Sequence, residues 1–359
     1  MELTAKFKQR YLPGFDCRLS TFRNTLAVSD IVLSNSMIFG LSGTFMFCFN
    51  DNEYYSRLPY FVVTEVNDQS LENLTFNLNL YLFRGRMYNI IEAKKEISKL
   101  LSMGLPVNIA INRLLLQEIC GESTNQINMG HHYITVTEYN KEKDNFIVFE
   151  TDKSEEIALT SEELNSIWFS DLVNKRDQID PFQLCDGQWY TAKSSFLSHD
   201  DLIKSCYSGI RKVLTNFFQS PIPEIMGKEA LNNFANKISH LESISDTNYA
   251  KTSIQILNAM ESGMSGGGLG RKLFSYFLSE FSRLTNCNEV KDISLGYTEL
   301  AGLWRNLVKT LTSYFHTTND TGIEVSYKSI IEQTKEIESL EIKYMTDLKE
   351  WFEKTSFKC

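Results

Sequence analysis

Cysteine and histidine carry the reactive chemistry of this sequence. Cys17 stands in Phe15-Asp16-Cys17-Arg18-Leu19-Ser20-Thr21-Phe22-Arg23-Asn24-Thr25-Leu26, directly after the turn signal Pro13-Gly14. A thiol that attacks a carbonyl forms a covalent intermediate, and it needs a base to activate it and to pass the proton on. The chain has five histidines, at 131, 132, 199, 240 and 316. His199 and His240 lie among polar helix-edge residues and His316 at a helix end, whereas His131-His132 follows Gly130 and opens an alternating apolar run. A base needs a third group to orient its imidazole. Phe149-Glu150-Thr151-Asp152 ends the next apolar run. Its carboxylates make Asp152 the first candidate orienter and Glu150 the alternative.

These residues must be held by regular elements. Leu19, Phe22, Leu26 and Ala27 share one face of a helix that starts at Cys17, with Asp16 as its N-cap. A thiol there meets the positive end of the helix dipole, which favours the thiolate. Ile134 and Val136 alternate with Tyr133, Thr135 and Thr137, Asn140 to Asn145 is a polar turn, and Phe146 to Glu150 returns as the second strand of a hairpin. Adjacent strand residues face opposite sides. If Ile134 and Val136 face the helix carrying Cys17, His132 faces it too, and His131 is the alternative base.

Other stretches fill out the architecture. Residues 5–15 read as an irregular lead-in, Ile31 to Phe39 as a helical piece, and Thr44 to Phe49 and residues 57–66 as extended. Asn89 to Ser102 is an amphipathic helix closed by Gly104, and Val107 to Asn112 is a strand. Thr160-Ser161-Glu162-Glu163 opens a further helix with a capping pattern. Helix followed by antiparallel sheet makes the first part α+β. Residues 173–195, with Asp180-Pro181 and Asp186-Gly187, read as a connector between a catalytic domain at 1–172 and an all-helical domain at 196–359. Within the latter, Arg271 and Glu280 are charges inside an apolar helical pattern and are candidate substrate-binding residues. The preceding glycine-rich run ends Gly270-Arg271-Lys272, without the ending of a phosphate-binding P-loop.

The bulk numbers agree with a globular chain. Its 359 residues are 42% hydrophobic and 23% charged, with a net charge of −9. That balance gives no overall attraction to nucleic acid or anionic membranes. No apolar run reaches the length of a membrane span, and Met1 to Arg10 lacks the apolar core of a secretory signal. Seven cysteines show neither a disulfide framework nor metal-ligand spacing. A cytoplasmic location without metal or resident cofactor is the expectation.

The order of motifs resembles the butirosin biosynthesis protein H family, which pairs a papain-like N-terminal domain with a helical C-terminal domain of its own. The carrying residues are the helix opened by Cys17, then Ser34-Asn35-Ser36 to Gly40-Leu41-Ser42-Gly43, then Gly104-Leu105-Pro106-Val107, then His132 to Asn140 and Phe146 to Asp152. In the second half they are Gly267 to Phe281 and Tyr297 to Leu307. The family register favours His132 over His131. Two positions depart from it: Asn35 replaces an acidic residue, and Glu138 replaces a glycine.

The resemblance implies a cysteine-dependent acyltransferase of secondary-metabolite, antibiotic-like biosynthesis. It would move an acyl group from the phosphopantetheine thioester of an acyl carrier protein or peptidyl carrier domain to a small amine. Cys17 would carry the acyl group, and Gln9 is a candidate oxyanion donor by analogy with papain. The helical domain would act as lid or acceptor site. The same triad also suits a cysteine peptidase or amidase, a thioesterase or a cyclase. A non-enzymatic binding protein with Cys17 and His132 as core residues is the remaining reading.

Overall fold

A computed structural model describes residues 2–14, 16–49, 68–122, 132–169, 187–194, 197–240, 266–316 and 326–356, with isolated positions at 185, 254, 255, 257, 258 and 261. The chain divides into two compact units, one built from residues 1–35 and 78–198, the other from 36–77 and 199–359.

The first unit contains α1 (Glu2–Arg10), α2 (Cys17–Val28) and the start of α3 (Asn35–Ser42). After α4 (Asp68–Asn77), which belongs to the second unit, it continues with β1 (Tyr81–Arg86), α5 (Ile90–Ser102), β2 (Val107–Ile111) and α6 (Arg113–Ile119). It closes with β3 (His132–Asn140), β4 (Asn145–Glu150), β5 (Glu156–Thr160), α7 (Ser161–Trp168) and β6 (Gln188–Lys193). Among the described residues, six strands form one antiparallel sheet in the order β1-β6-β2-β3-β4-β5. The unit is α+β.

Local chemistry sets several of these boundaries. Thr160 and Glu163 form the anticipated capping box of α7. Asn89 caps α5, and Gly104, at φ +76°, lets the chain leave it. Asp144, also left-handed at φ 49°, closes the β3–β4 hairpin.

The two sheet faces differ in chemistry. Val107, Ile109, Ile134, Val136 and Val148 join an apolar cluster with Ala93 and Ile97 of α5 and Leu164 and Ile167 of α7. Full burial of such side chains is worth roughly 1.5–3 kcal/mol each. The opposite face carries Tyr133, Thr135, Asn108 and Tyr190, and it meets α2 through hydrogen bonds. Asn108 Nδ2 donates to Thr25 Oγ1 at 2.9 Å, and Thr135 Oγ1 donates to Asn108 Oδ1 at 2.7 Å. Each such bond nets only about 1 kcal/mol, but together they fix the register of the helix on the sheet. The expectation that Ile134 and Val136 face the Cys17 helix is therefore corrected: Tyr133 and Thr135 face it.

Further expectations change. The lead-in at 5–15 is helical up to Arg10. Residues 188–193, read as connector, form an interior strand, and β5 precedes α7. Residues 36–77, read as part of the catalytic domain, belong with the helical unit. Thr44 to Phe49 is not a strand; only an isolated bridge joins Cys48 to Met226. The extended run at 57–66 lies outside the described residues.

The second unit adds α8 (His199–Phe218), α9 (Lys228–Ser239), α10 (Arg271–Thr285), α11 (Asn288–His316) and α12 (Tyr327–Ser356). These match the helical periodicity of the sequence. Phe45, Phe47, Phe234, Phe274, Tyr297 and Trp304 build its aromatic core. Among the described residues no helix is long and apolar enough to cross a membrane.

Candidate functional site

Asp16 is extended (φ −99°, ψ 119°) and its carboxylate accepts from Leu19 N at 2.8 Å, so the helix starts at Cys17 as anticipated. Burial pushes the Asp16 carboxyl up, against the pull of the Leu19 N–H. The four residues before the helix turn are tied to the far end of β4. Gly14 N donates to Thr151 O at 2.8 Å, and Tyr11 Oη donates to Glu150 O. A Cβ at Gly14 would lie 1.8 Å from Ser20 Oγ, so this close approach requires glycine. Arg23, buried in α2, clamps the same segment by donating to Leu12 O and to Asn35 Oδ1.

His132 pairs with Ile111 at the end of the β2–β3 ladder. Its ring Nε2 lies 2.5 Å from Glu150 Oε1, and both side chains are buried, at 8% and 5% exposure. The Cys17 sulfur is close enough to the same ring to push its pKa up. With Nε2 on Glu150, the nitrogen left for Cys17 is Nδ1. Because His132 stands where the ladder ends, it meets Cys17 although Ile134 and Val136, two and four residues on, face away from α2.

Electrostatics follow from this arrangement. Burial disfavours the charged ring, but Cys17 and then Glu150 more than reverse that, and His132 is pushed up to about 10. For Glu150, burial is outweighed by its bond to His132, so the carboxyl lies well below the usual range. Asp152 goes the other way: burial, and then the neighbouring Glu150, raise it to about 6. Its Oδ2 accepts from Arg113 Nη2 at 2.6 Å. The carboxylate on the imidazole is thus Glu150, the alternative in the sequence reading, and Asp152 stands one group further out. The reason is register: Glu150 pairs with Ile134, on the same side of the ladder as His132, while Asp152 lies in the turn beyond β4.

Such a line, with a half-buried thiol and a buried imidazole and carboxylate, can pass a proton between nucleophile and substrate while the carboxylate stabilises the charged ring.

Residues 16–151 match the family model described as Butirosin biosynthesis protein H, N-terminal. Over this stretch the chain is similar to the butirosin biosynthesis protein H family. The stretch matched to that family contains Cys17, His132 and Glu150, and it ends one residue before Asp152. A second model, Domain of unknown function (DUF4872), matches residues 171–348. Comparison with curated proteins gives no match.

The other candidates fall elsewhere in the chain. His131 lies outside the described residues. Gln9 is exposed on α1. Arg271 is completely buried in the second unit: its Nε donates to Glu341 Oε2 at 3.0 Å, Nη1 donates to Leu269 O at 2.8 Å, and the guanidinium lies over Trp304 at 4.9 Å. It has no exposed surface and forms a core ion pair with Glu341. Glu280 accepts from Ser36 Oγ at 2.5 Å. Two residues escaped the sequence reading. Arg113 follows the end of β2 and carries no local signature. Tyr190 sits in Gln-Trp-Tyr-Thr-Ala-Lys, whose aromatic and β-branched content after Asp186-Gly187 signals a strand.

Proposed function

We propose that this chain is a cysteine-dependent acyltransferase of secondary-metabolite biosynthesis with a papain-like catalytic unit. It takes an acyl group from a carrier-protein thioester and places it on an amine. The observation that carries the reading is His132 bridging Cys17 and Glu150.

Each step has a group for it. The sulfur of Cys17 attacks the thioester carbonyl of the acyl-phosphopantetheine, forming the new C–S bond. The tetrahedral oxyanion is met by the backbone N–H of Cys17, a first-turn amide that has no acceptor within its helix. Collapse breaks the old C–S bond, and the pantetheine sulfur leaves with the proton held by His132. An amine then attacks the acyl-Cys17 carbonyl while His132 takes its proton, and the amide departs as the Cys17 sulfur is released. Glu150 stabilises the imidazolium in both halves. The phosphopantetheine arrives with the donor, so it is substrate here.

Water in place of the amine would make the same residues a hydrolase. The test supplies a short-chain acyl thioester of pantetheine and a panel of primary amines, with products resolved by mass. Amide formation that disappears in Cys17→Ala supports transfer. Free acid alone, whatever the amine, overturns it in favour of hydrolysis.

A further inference from the structure

β6 lies between β1 and β2 inside the sheet of the first unit. It nevertheless falls in the stretch that matches the second family model, beyond the stretch that contains Cys17 and His132. Tyr190, at its centre, pairs with Asn108 of β2 and Arg84 of β1. It therefore shares the face that α2 covers. Its side chain is buried, with the ring edge-on to Tyr133 at 5.3 Å.

The Tyr190 hydroxyl lies 2.6 Å from Thr21 Oγ1 and 2.9 Å from the carbonyl oxygen of Arg18. Thr21 Oγ1 lies in turn 2.8 Å from the carbonyl oxygen of Cys17. Each hydroxyl has one proton, so two arrangements satisfy these distances. Either Tyr190 donates to Thr21 and Thr21 to Cys17 O or to Arg18 O, the latter at 3.0 Å, or Thr21 donates to Tyr190 and Tyr190 to Arg18 O. Both tie the first turn of α2 to β6. The first turn is the part of a helix with the fewest bonds of its own, and it is the part that carries the thiol. His132 is on β3, separated from β6 only by β2. The sheet thus acts as a ruler between the two reacting side chains.

We propose that Tyr190 is a positioning residue for Cys17, contributed to the catalytic unit by the region that matches the second family. This rests on the reading of Cys17 as nucleophile. Tyr190 acts through the Thr21 hydroxyl and the Cys17–Arg18 carbonyls, so its weight is that of a hydrogen bond acting on geometry.

The test uses the full chain with 15N-labelled histidine and the variants Tyr190→Phe, Thr21→Val and Thr21→Ser. Two quantities are read: the rate at which iodoacetamide alkylates Cys17, located by peptide mass, and the pH midpoint of the His132 ring. Tyr190→Phe keeps the ring packing, and Asn108 still anchors Thr25 one turn on. It is expected to slow alkylation about twofold to tenfold, the weight of one hydrogen bond. The His132 midpoint is expected to fall from about 10 as Cys17 loosens from the ring. Thr21→Val is expected to act alike, the double variant to be no worse than either single one, and Thr21→Ser to match the parent. A folded Tyr190→Phe with parental alkylation and midpoint overturns the proposal. If Tyr190→Phe does not fold, Thr21→Val decides in the same way. Neither readout needs acyl transfer, so failure of the acyltransferase reading leaves this result standing on its own.

Discussion

The Nε2 of His132 lies 2.5 Å from Glu150 Oε1, and the carboxylate that holds the imidazole is therefore the last residue of β4, not the turn after it. Two acidic residues two positions apart are assigned opposite fates by this register. Glu150 is kept charged, and Asp152 is pushed up to about 6 by burial and by Glu150 itself.

Glu150→Gln is expected to lower kcat/KM about a hundredfold or more, because the ring loses the charge that stabilises its protonated form. Asp152→Asn, with a half-exposed side chain on Arg113, is expected to cost less than about tenfold. Steady-state kinetics on both variants with one thioester and one amine separates the two roles. A larger loss in Asp152→Asn would reverse the assignment.

The His132 shift has a consequence for stability. The ring titrates near 10 in the folded chain against 6.5 in the unfolded one. Its stabilising contribution is complete below 6.5 and is lost as pH rises through about 10. Urea unfolding of the parent is expected to weaken across that window more than unfolding of His132→Gln. Cys17→Ala and Glu150→Gln are each expected to lower the His132 midpoint, since each removes a group that raises it.

In the second unit, Arg271 and Glu341 are both fully buried. Arg271→Met leaves the Glu341 carboxylate without its counter-charge, an arrangement that costs about 3–5 kcal/mol. Arg271→Met/Glu341→Leu is expected to recover much of that loss. Chemical denaturation of the single and double variants checks both outcomes.

Arg23 is buried among neutral acceptors, Asn24, Asn35 and the Leu12 carbonyl, and burial lowers it to about 10. Asn35→Asp would supply a carboxylate directly to the buried guanidinium. It is expected to raise the melting temperature by about 2 °C or more, read by calorimetry.

Much of this was legible beforehand because it depends on local rules. Asp16 as N-cap, the Thr160–Glu163 capping box, the hairpin around Asn140 to Asn145 and the helices after His199 follow from spacing and turn chemistry. What escaped depends on long-range pairing. β6 is a short strand whose partners, β1 and β2, lie far earlier in the chain, so nothing local makes it interior. Alternation alone does not say which face of β3 meets α2. Here Thr21, Thr25, Asn108 and Thr135 make that contact polar, and the apolar face packs on α5 and α7. The choice between Glu150 and Asp152 hung on register, which the sequence does not encode to the residue.

The central claim is that Cys17 carries an acyl group. The direct measurement is the mass of the Cys17 peptide after brief exposure of the full chain to an acyl-loaded carrier protein, before any amine is added. The account predicts an acyl adduct on Cys17, absent in Cys17→Ala, strongly slowed in His132→Ala, and discharged as an amide when amine is supplied. No adduct on the parent chain, or unchanged turnover by Cys17→Ala, would contradict it.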